Sequence, residues 1–539
     1  MKKLLLSLAL LVPMLTASTQ FFGCTQTTSV QRDTTYAVQR DTTYAIKYDT
    51  VGIGSQVYAN FAKSGLSDLS FLQGAASLEW LNLDSNLFTD ITPLSHLTKL
   101  KYLNLNECSG FMDLTALSKL DSLQELDCYN CFGITSINPI CHLPNISTLD
   151  LEGCWQITNI DSLANLTTLQ RLSLHSANGV TNISALSKLT NLTWLDLGWA
   201  NGIQDFSALS TLSKLQWVRV AGQSTTTVAG LSGLPNLQTL LIANNALPTV
   251  TLSNLPKVKK IDFGYCDSVK SVVLTNLAVI DTIDLGRLGQ IVSLKLSSLP
   301  GLKVLSLGSS GAFDTIQLSG LSSLSTFTID GCLSTSLSFL KGITSIDTFS
   351  IASQNLTDIS DVAGLTNIKS LTIHGDGLTD ISPIASLTTL TQLQIYNCGG
   401  IADISKLSSL ANLEWFDAHN DKPITSVAAL DGLTKLKYVD LHYCQGLDSL
   451  LSDFSGLTAL THLNINGCSS LKSAPSLAGL KNLSWVDIRY NGLDSASIAG
   501  IVGDMDSGDT LFCSSDQVNV TQAQALAAKG VILPGYLFN

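Results

Sequence analysis

The sequence predicts an α/β-type repeat solenoid. In it, stacked coils form an open arc or horseshoe, with a parallel β-sheet on the concave side and mostly short 3₁₀ or irregular segments on the convex side. Three observations predict it. A nine-residue phrase, clearest as LTWLDLGWA from Leu192 to Ala200, has apolar residues at its first, fourth and sixth places. That spacing suits a short strand running into a tight turn, and neither a helical nor a two-residue period explains it. The first residue of the phrase recurs at 78, 100, 123, 146, 169, 192, 215, 237, 258, 280, 302, 324, 346, 368, 390, 413, 436, 460 and 483, which is 19 copies spaced 21 to 24 residues apart. The segments between copies change character in mid-chain, where strand-like alternation replaces turn-like phrases.

The period has a physical cause. One coil cannot bury its own apolar edge, so like edges stack into a continuous core. At a strand spacing of about 4.8 Å the 19 coils give a spine about 90 Å long. The consensus LxxLxLxx(N/C) in units of this length resembles the leucine-rich repeat signature, over residues 66 to 500. Phrases such as ITPLSHLTKL from Ile91 and ISPIASLTTL from Ile381 resemble the bacterial internalin-type subgroup. That resemblance implies 3₁₀-like turns on the outer side, ligand binding on the concave face, and an adhesin-like role at the bacterial surface.

The unbroken period makes one elongated repeat domain a better reading than several globular ones. We divide the chain into a signal peptide (1–23), a polar stalk (24–51), an N-terminal cap with a partial repeat (52–77), the repeats (78–495) and a C-terminal cap (496–539). Lys2 and Lys3 precede an apolar run, Leu4 to Leu15, too short to span a bilayer. Phe21-Phe22-Gly23-Cys24 then resembles a lipoprotein signal in which Cys24 becomes lipidated and anchors the chain to a membrane, the outer membrane or cell surface being expected. Ordinary secretion after cleavage near Ala17 or Ser18 is the alternative. The stalk repeats VQRDTTYA twice, from Val30 and from Val38, and has too few apolar side chains to close a core. With 30 basic and 42 acidic residues the net charge is −12, which argues against a nucleic-acid partner.

Eight of the 12 cysteines stand at the ninth place of the phrase: Cys108, Cys131, Cys154, Cys266, Cys332, Cys398, Cys444 and Cys468. Asn86, Asn245 and Asn491 share that column. We read it as a buried ladder in which either residue satisfies the turn, with disulfide bridging as the lesser alternative. In repeats 8 to 12 the outer phrases around Leu252, Leu274, Leu296 and Leu318 alternate, which predicts a second strand column there. At the C-terminus, Ser497 to Val502 and Val520 to Lys529 read as helices stopped by Gly503 and Gly530, with Val531 to Leu533 as a last strand. At the other end Gly52 to Gly65 reads as a lid with Ile53, Val57, Tyr58 and Phe61 on its apolar side.

Function must come from the variable places. The second, third, fifth, seventh and eighth places face outward on the concave sheet, and aromatic and charged residues gather there at two flanks. The front flank offers Trp80, Tyr102, Tyr129, Trp194, Trp217 and Arg219; the back flank offers Trp415, Asp417, His419, Tyr438, Asp440, His442, His462, Trp485, Asp487 and Arg489. Large rigid rings among directional polar groups are the composition of binding surfaces, and the same tryptophans suit sugar stacking. His419 and His442, with Asp417 and Asp440, raise a metal site as a lesser reading, and the flat sheet argues against it. No nucleophile elbow, phosphate loop or metalloprotease helix is present. The expectation is therefore a monomeric, non-catalytic binding protein without cofactor, recognising a protein or a glycan. An envelope scaffold is the alternative, and a metal-dependent envelope enzyme a more distant one.

Overall fold

A computed structural model describes residues 56–534, apart from 223–226, 244–245, 265, 287, 289, 308–312, 314, 449, 451–455 and 475. The leader, Cys24, the stalk, Ile53 and Asn245 lie outside the described residues. The described chain is a right-through solenoid. Every copy of the phrase supplies one concave strand at its third to fifth places, as in Trp194–Asp196, and with one interruption each pairs in parallel and in register with its neighbours. First, fourth and sixth places turn inward: Leu192 and Leu195 are 0% exposed and Leu197 is 3% exposed. These side chains form one continuous core from Ala59 to Val531.

The convex side follows the sequence too. Where the phrase after the turn contains an Asp or Asn, that side chain accepts a backbone N–H two residues on and opens a 3₁₀ turn. Asp90 does this for Thr92 at 2.8 Å and Asp380 for Ser382 at 2.8 Å, ahead of the turns Thr92–His96 and Ser382–Ser386. The asparagines of the NLT-like phrases bond the preceding coil, as when Asn191 Nδ2 donates to Thr167 O at 2.8 Å. Four middle coils instead carry outer strands, Thr249–Ser253, Ser271–Thr275, Ser293–Ser297 and Thr315–Ser319, paired in parallel as a second sheet. The expected strand column is thus present in repeats 8 to 11. Repeat 12 departs from it, because its outer segment is the 3₁₀ turn Ser338–Leu340.

Both ends extend the stack beyond the 19 phrases. Tyr58–Asn60 pairs with Trp80–Asn82, so the N-terminal lid is itself a first concave strand. Its inward residues are Ala59 and Phe61, whereas Val57 and Tyr58, expected on the apolar side, are 39% and 61% exposed. At the C-terminus the first helix, Ser495–Asp504, is capped by Asp494 and runs through Gly503. The second, Val520–Lys529, has a capping box at Asn519 and stops at Gly530 with φ 87°. The last concave strand is Thr510–Phe512, and Ile532 only bridges to Thr510. An inserted helix lengthens this final coil and hides its phrase from the period. None of the described helices is long and apolar enough to cross a membrane.

The concave ladder has one interruption. A ten-stranded sheet ends at Lys260–Asp262 and an eleven-stranded sheet begins at Thr282–Asp284. A cleft of about 540 Å³ opens at the joint, lined by Lys259, Lys260, Asp262, Asp281 and Asp284 among others. On the outer side, Ser271–Thr275 pairs with Ser293–Ser297 across the same joint.

Asn86 and the eight ninth-place cysteines are buried, and all eleven described cysteines are free thiols. The column works as a row of donors. Cys108 Sγ–H donates to Leu83 O at 3.1 Å, Cys131 to Leu105 O at 3.0 Å, Cys444 to Ala418 O at 3.0 Å and Cys468 to Leu441 O at 3.1 Å. Asn86 Nδ2 does the same to Phe61 O at 2.8 Å. Thiol and amide are interchangeable here because each closes a buried carbonyl of the preceding turn.

Candidate binding surface

Strand pairing places equivalent residues of successive coils in columns, so one aromatic position repeated in sequence becomes a stack in space. At the back, Trp415 and Tyr438 stack with ring centroids 3.6 Å apart and planes 8° apart. The same column continues through His462, Trp485 and Phe512 at 5.8, 5.9 and 5.1 Å. A parallel column at the seventh place joins His374, Tyr396, His419 and His442, with centroid steps of 5.2, 4.7 and 4.4 Å. The structure therefore brings the third- and seventh-place residues of the back flank together in two adjacent columns.

Between the columns runs the fifth place, and it does not behave as contact surface. Asp417, Asp440 and Asp487 are 8%, 6% and 2% exposed. Each folds back on its own turn: Asp417 Oδ1 accepts His419 N–H at 3.1 Å, Asp440 Oδ1 accepts His442 N–H at 3.0 Å and Asp487 Oδ1 accepts Arg489 N–H at 3.0 Å. Asp440 also accepts from Tyr438 Oη at 3.2 Å and Asn464 Nδ2 at 3.1 Å. Asp487 holds Arg489 in an ion pair, Nη2 to Oδ2 at 2.5 Å, and the guanidinium lies 4.9 Å over Phe512. These carboxylates position the seventh-place side chains that do reach solvent.

The electrostatics follow from this packing. Burial raises the Asp440 carboxyl, but hydrogen bonds from the His442 ring and backbone outweigh it and hold it below the ordinary range. Burial lowers the His442 imidazole, while its bond to Asp440 and the neighbouring carboxylates outweigh that and leave it raised. Burial alone lowers His462. The imidazole Nδ1 atoms of His419 and His442 lie 2.7 and 2.6 Å from Asp417 and Asp440. One ring nitrogen of each is thus committed within its own coil. Among the described residues no three or more His, Cys, Asp or Glu side chains converge as a metal-holding group.

The front flank is divided. Trp80 stacks on Tyr102 at 5.1 Å, and Tyr102 Oη donates to Asp127 Oδ2 at 3.0 Å. Tyr129 stands in the next coil, at the seventh place. Further along, Trp194 and Trp217 stack at 4.6 Å, with the Arg171 guanidinium 4.4 Å over Trp194 and that of Arg219 5.4 Å over Trp217. Arg219 also pairs with the buried Asp196 at 3.1 Å. In both flanks the rings stack on those of neighbouring coils, and at the back the Trp415 indole Nε1 is buried.

The family model for the leucine-rich repeat region matches residues 77–373. The chain belongs to the leucine-rich repeat family. No curated protein sequence matches it. Among solved structures, it is similar to an internalin of Listeria monocytogenes, 23% identical over 68% of this chain and 87% of that one, with a TM-score of 0.34. It is similar to internalin C2 of the same species, 32% identical over 35% of this chain and 82% of that one, TM-score 0.31. A leucine-rich repeat protein of Leptospira interrogans is 18% identical over 82% of this chain and 97% of that one, TM-score 0.38.

Within this leucine-rich repeat chain, the sequence reading counts the eighth place as outward but misses its left-handed backbone and its exposed rings. The eighth place is left-handed in many coils: Ser85, Glu107, Asn130, Ser176, Trp199, Asn420, Tyr443 and Tyr490 have φ between 55° and 61°, and Gly153 and Gly467 share the conformation at 75° and 73°. Asn and Gly suit such a position; Trp and Tyr do not. Tyr490, Tyr443 and Trp199 are nonetheless 66%, 48% and 36% exposed. At the tenth place Trp155 and Phe132 add a further exposed pair, 51% and 40% exposed with rings 6.4 Å apart. The signal was available, since Asn and Gly alternate with bulky aromatics in one column of the phrase.

Proposed function

We propose that this leucine-rich repeat protein is a non-catalytic, exported surface protein that captures a protein ligand on the aromatic rows of its concave face, chiefly at the back. The observation that carries the reading is the eighth-place column. A bulky ring in left-handed backbone costs about 1 kcal/mol, and an exposed ring recovers little of that by burial. Tyr443 and Tyr490 accept this cost beside the stacked His442 and the Arg489 guanidinium, where they extend the surface outward. The Tyr443 ring lies over Gly467 and against His442 yet stays 48% exposed, and Tyr490 is 66% exposed, so strain of this kind points to a contact role.

The stacked geometry supports a protein over a glycan. Sugar rings pack on open aromatic faces, and in these columns the faces are covered by the ring of the next coil. Trp415, Tyr438, His462 and Trp485 supply the stacked rings, and His419, His442 and Arg489 the directional groups. The charged leader, the apolar run and Cys24 support lipid anchoring at the cell surface, with residues 24–51 as a stalk, 52–77 as the N-terminal lid and 496–539 as the C-terminal one. Mass measurement of the mature N-terminus tests the anchor: a diacylglyceryl-modified Cys24 is expected, and an unmodified terminus near Ala17 would refute it.

The test of function displays the full chain at high density against host surface proteins and a glycan array. Capture of a protein that weakens by about tenfold or more in Tyr443→Asn with Tyr490→Asn, at unchanged melting, is the expected result. Capture of glycans alone, or protein capture indifferent to both substitutions, would overturn it.

A further inference from the structure

The outer sheet stops with one side open. Its last strand, Thr315–Ser319, pairs with Ser293–Ser297 through Thr315 N–H to Val292 O at 3.2 Å and Ser298 N–H to Ser319 O at 3.0 Å, in addition to the ladder itself. Successive residues of a strand aim their backbone groups to opposite sides. Ile316 and Leu318 therefore aim N–H and C=O away from the sheet. Among the described residues no backbone hydrogen bond from the following coil reaches them, because that coil turns as a 3₁₀ segment.

Burial tells the same story. The equivalent positions in the three preceding strands, Val250 and Leu252, Val272 and Leu274, Leu294 and Leu296, are all 0% exposed. Ile316 and Leu318, with no strand beyond them, are only partly buried. A groove of about 450 Å³ runs beside them, lined by Phe313, Leu333 and Phe339 among others. Leu333 at its wall is 48% exposed. A smaller adjoining groove of about 280 Å³ is flanked by Lys295 and Lys341. Both lysines are exposed and neither has an ion pair among the described residues.

We propose that this edge docks an extended segment of another protein, which adds a fifth strand to the outer sheet. Alternating backbone donors and acceptors are matched by a strand and by no other common element. Apolar side chains of the incoming segment sit against Leu318 and Leu333, and an acidic one sits between Lys295 and Lys341. A second copy of this chain is a poorer occupant: two-fold pairing about Gln317 would bring the same lysines face to face. The site lies on the side opposite the aromatic rows and is independent of what they bind.

The test uses the full chain and a fluorescent nonapeptide of alternating valine and threonine with a central glutamate, read by anisotropy. Saturable binding is expected. Leu318→Pro removes the outward N–H while leaving the inward ladder of Thr315, Gln317 and Ser319, as edge strands allow; it should weaken binding by about tenfold or more. Lys295→Glu with Lys341→Glu, which leaves the core untouched, should switch the preference to a peptide with a central lysine. No saturable binding, or binding indifferent to charge reversal, would refute the proposal. Self-association of the free chain that Leu318→Pro abolishes would assign the edge to a second copy and overturn it as well.

Discussion

Asp421 accepts the backbone N–H of Cys398 at 2.5 Å from inside the ninth-place column, where Asn86, Cys444 and Cys468 donate. Its side chain is 0% exposed and Oδ2 is without a partner among the described residues. A carboxylate can only accept, so the column as built calls for the protonated acid.

The first prediction follows. Burial pushes the Asp421 carboxyl up to about 8, the Cys398 N–H opposes this in part, and the nearby Asp417 reinforces it. The folded protein thus keeps a proton that the unfolded chain releases near 3.8. A raised carboxyl leaves stability whole below the unfolded value and removes it progressively as pH rises toward the folded one. Melting temperature should fall from pH 4 to pH 8, with the thiols of Cys398 and Cys444 neutral throughout. Asp421→Asn should flatten that slope and raise the melting temperature at pH 8; an unchanged slope would count against a buried acid.

The thiols should be inert. Burial is the leading cause that pushes Cys108, Cys398 and Cys468 up to about 12 and Cys513 up to about 11. A thiol-specific reagent at pH 8 should label none of the eleven described cysteines in folded protein and all of them in denaturant, by intact mass.

Asp440 should matter to the fold more than to capture. Asp440→Ala strips partners from His442 N–H, Tyr438 Oη and Asn464 Nδ2 and should cost about 1 to 3 kcal/mol in urea melts. Because its carboxyl is held below the ordinary range, its contribution is present at neutral pH and is lost as pH falls through that lowered value. Equal urea midpoints for mutant and parent would remove its structural role.

Tyr490→Asn should separate stability from capture. Asn occupies the same left-handed place at Asn130 and Asn420, so the substitution should leave stability equal or raise it by up to about 1 kcal/mol. Ligand capture should weaken over the same experiment. A loss of stability would mean that the ring packs more than its exposure suggests.

The stack was legible in the sequence because its cause is periodic. Each Leu at the first, fourth and sixth places repeats one constraint, and the outer alternation around Leu252, Leu274, Leu296 and Leu318 marks the second sheet. What escaped is not periodic. Thr510–Phe512 continues the inner sheet after an inserted helix, which destroys the spacing. Asp417, Asp440 and Asp487 look like ligand contacts among the outward places, yet a short acid that accepts the backbone N–H two residues on and the side chain of that residue is drawn inward. The covered faces of Trp415 and Tyr438 arise from the partner coil, 23 residues away in sequence.

The interruption between Lys260–Asp262 and Thr282–Asp284, spanned on the outer side by Ser271–Thr275 and Ser293–Ser297, has the construction of a hinge with its pin on the convex surface. Flexing there leaves the packing within each coil alone and alters the separation of the front and back aromatic rows.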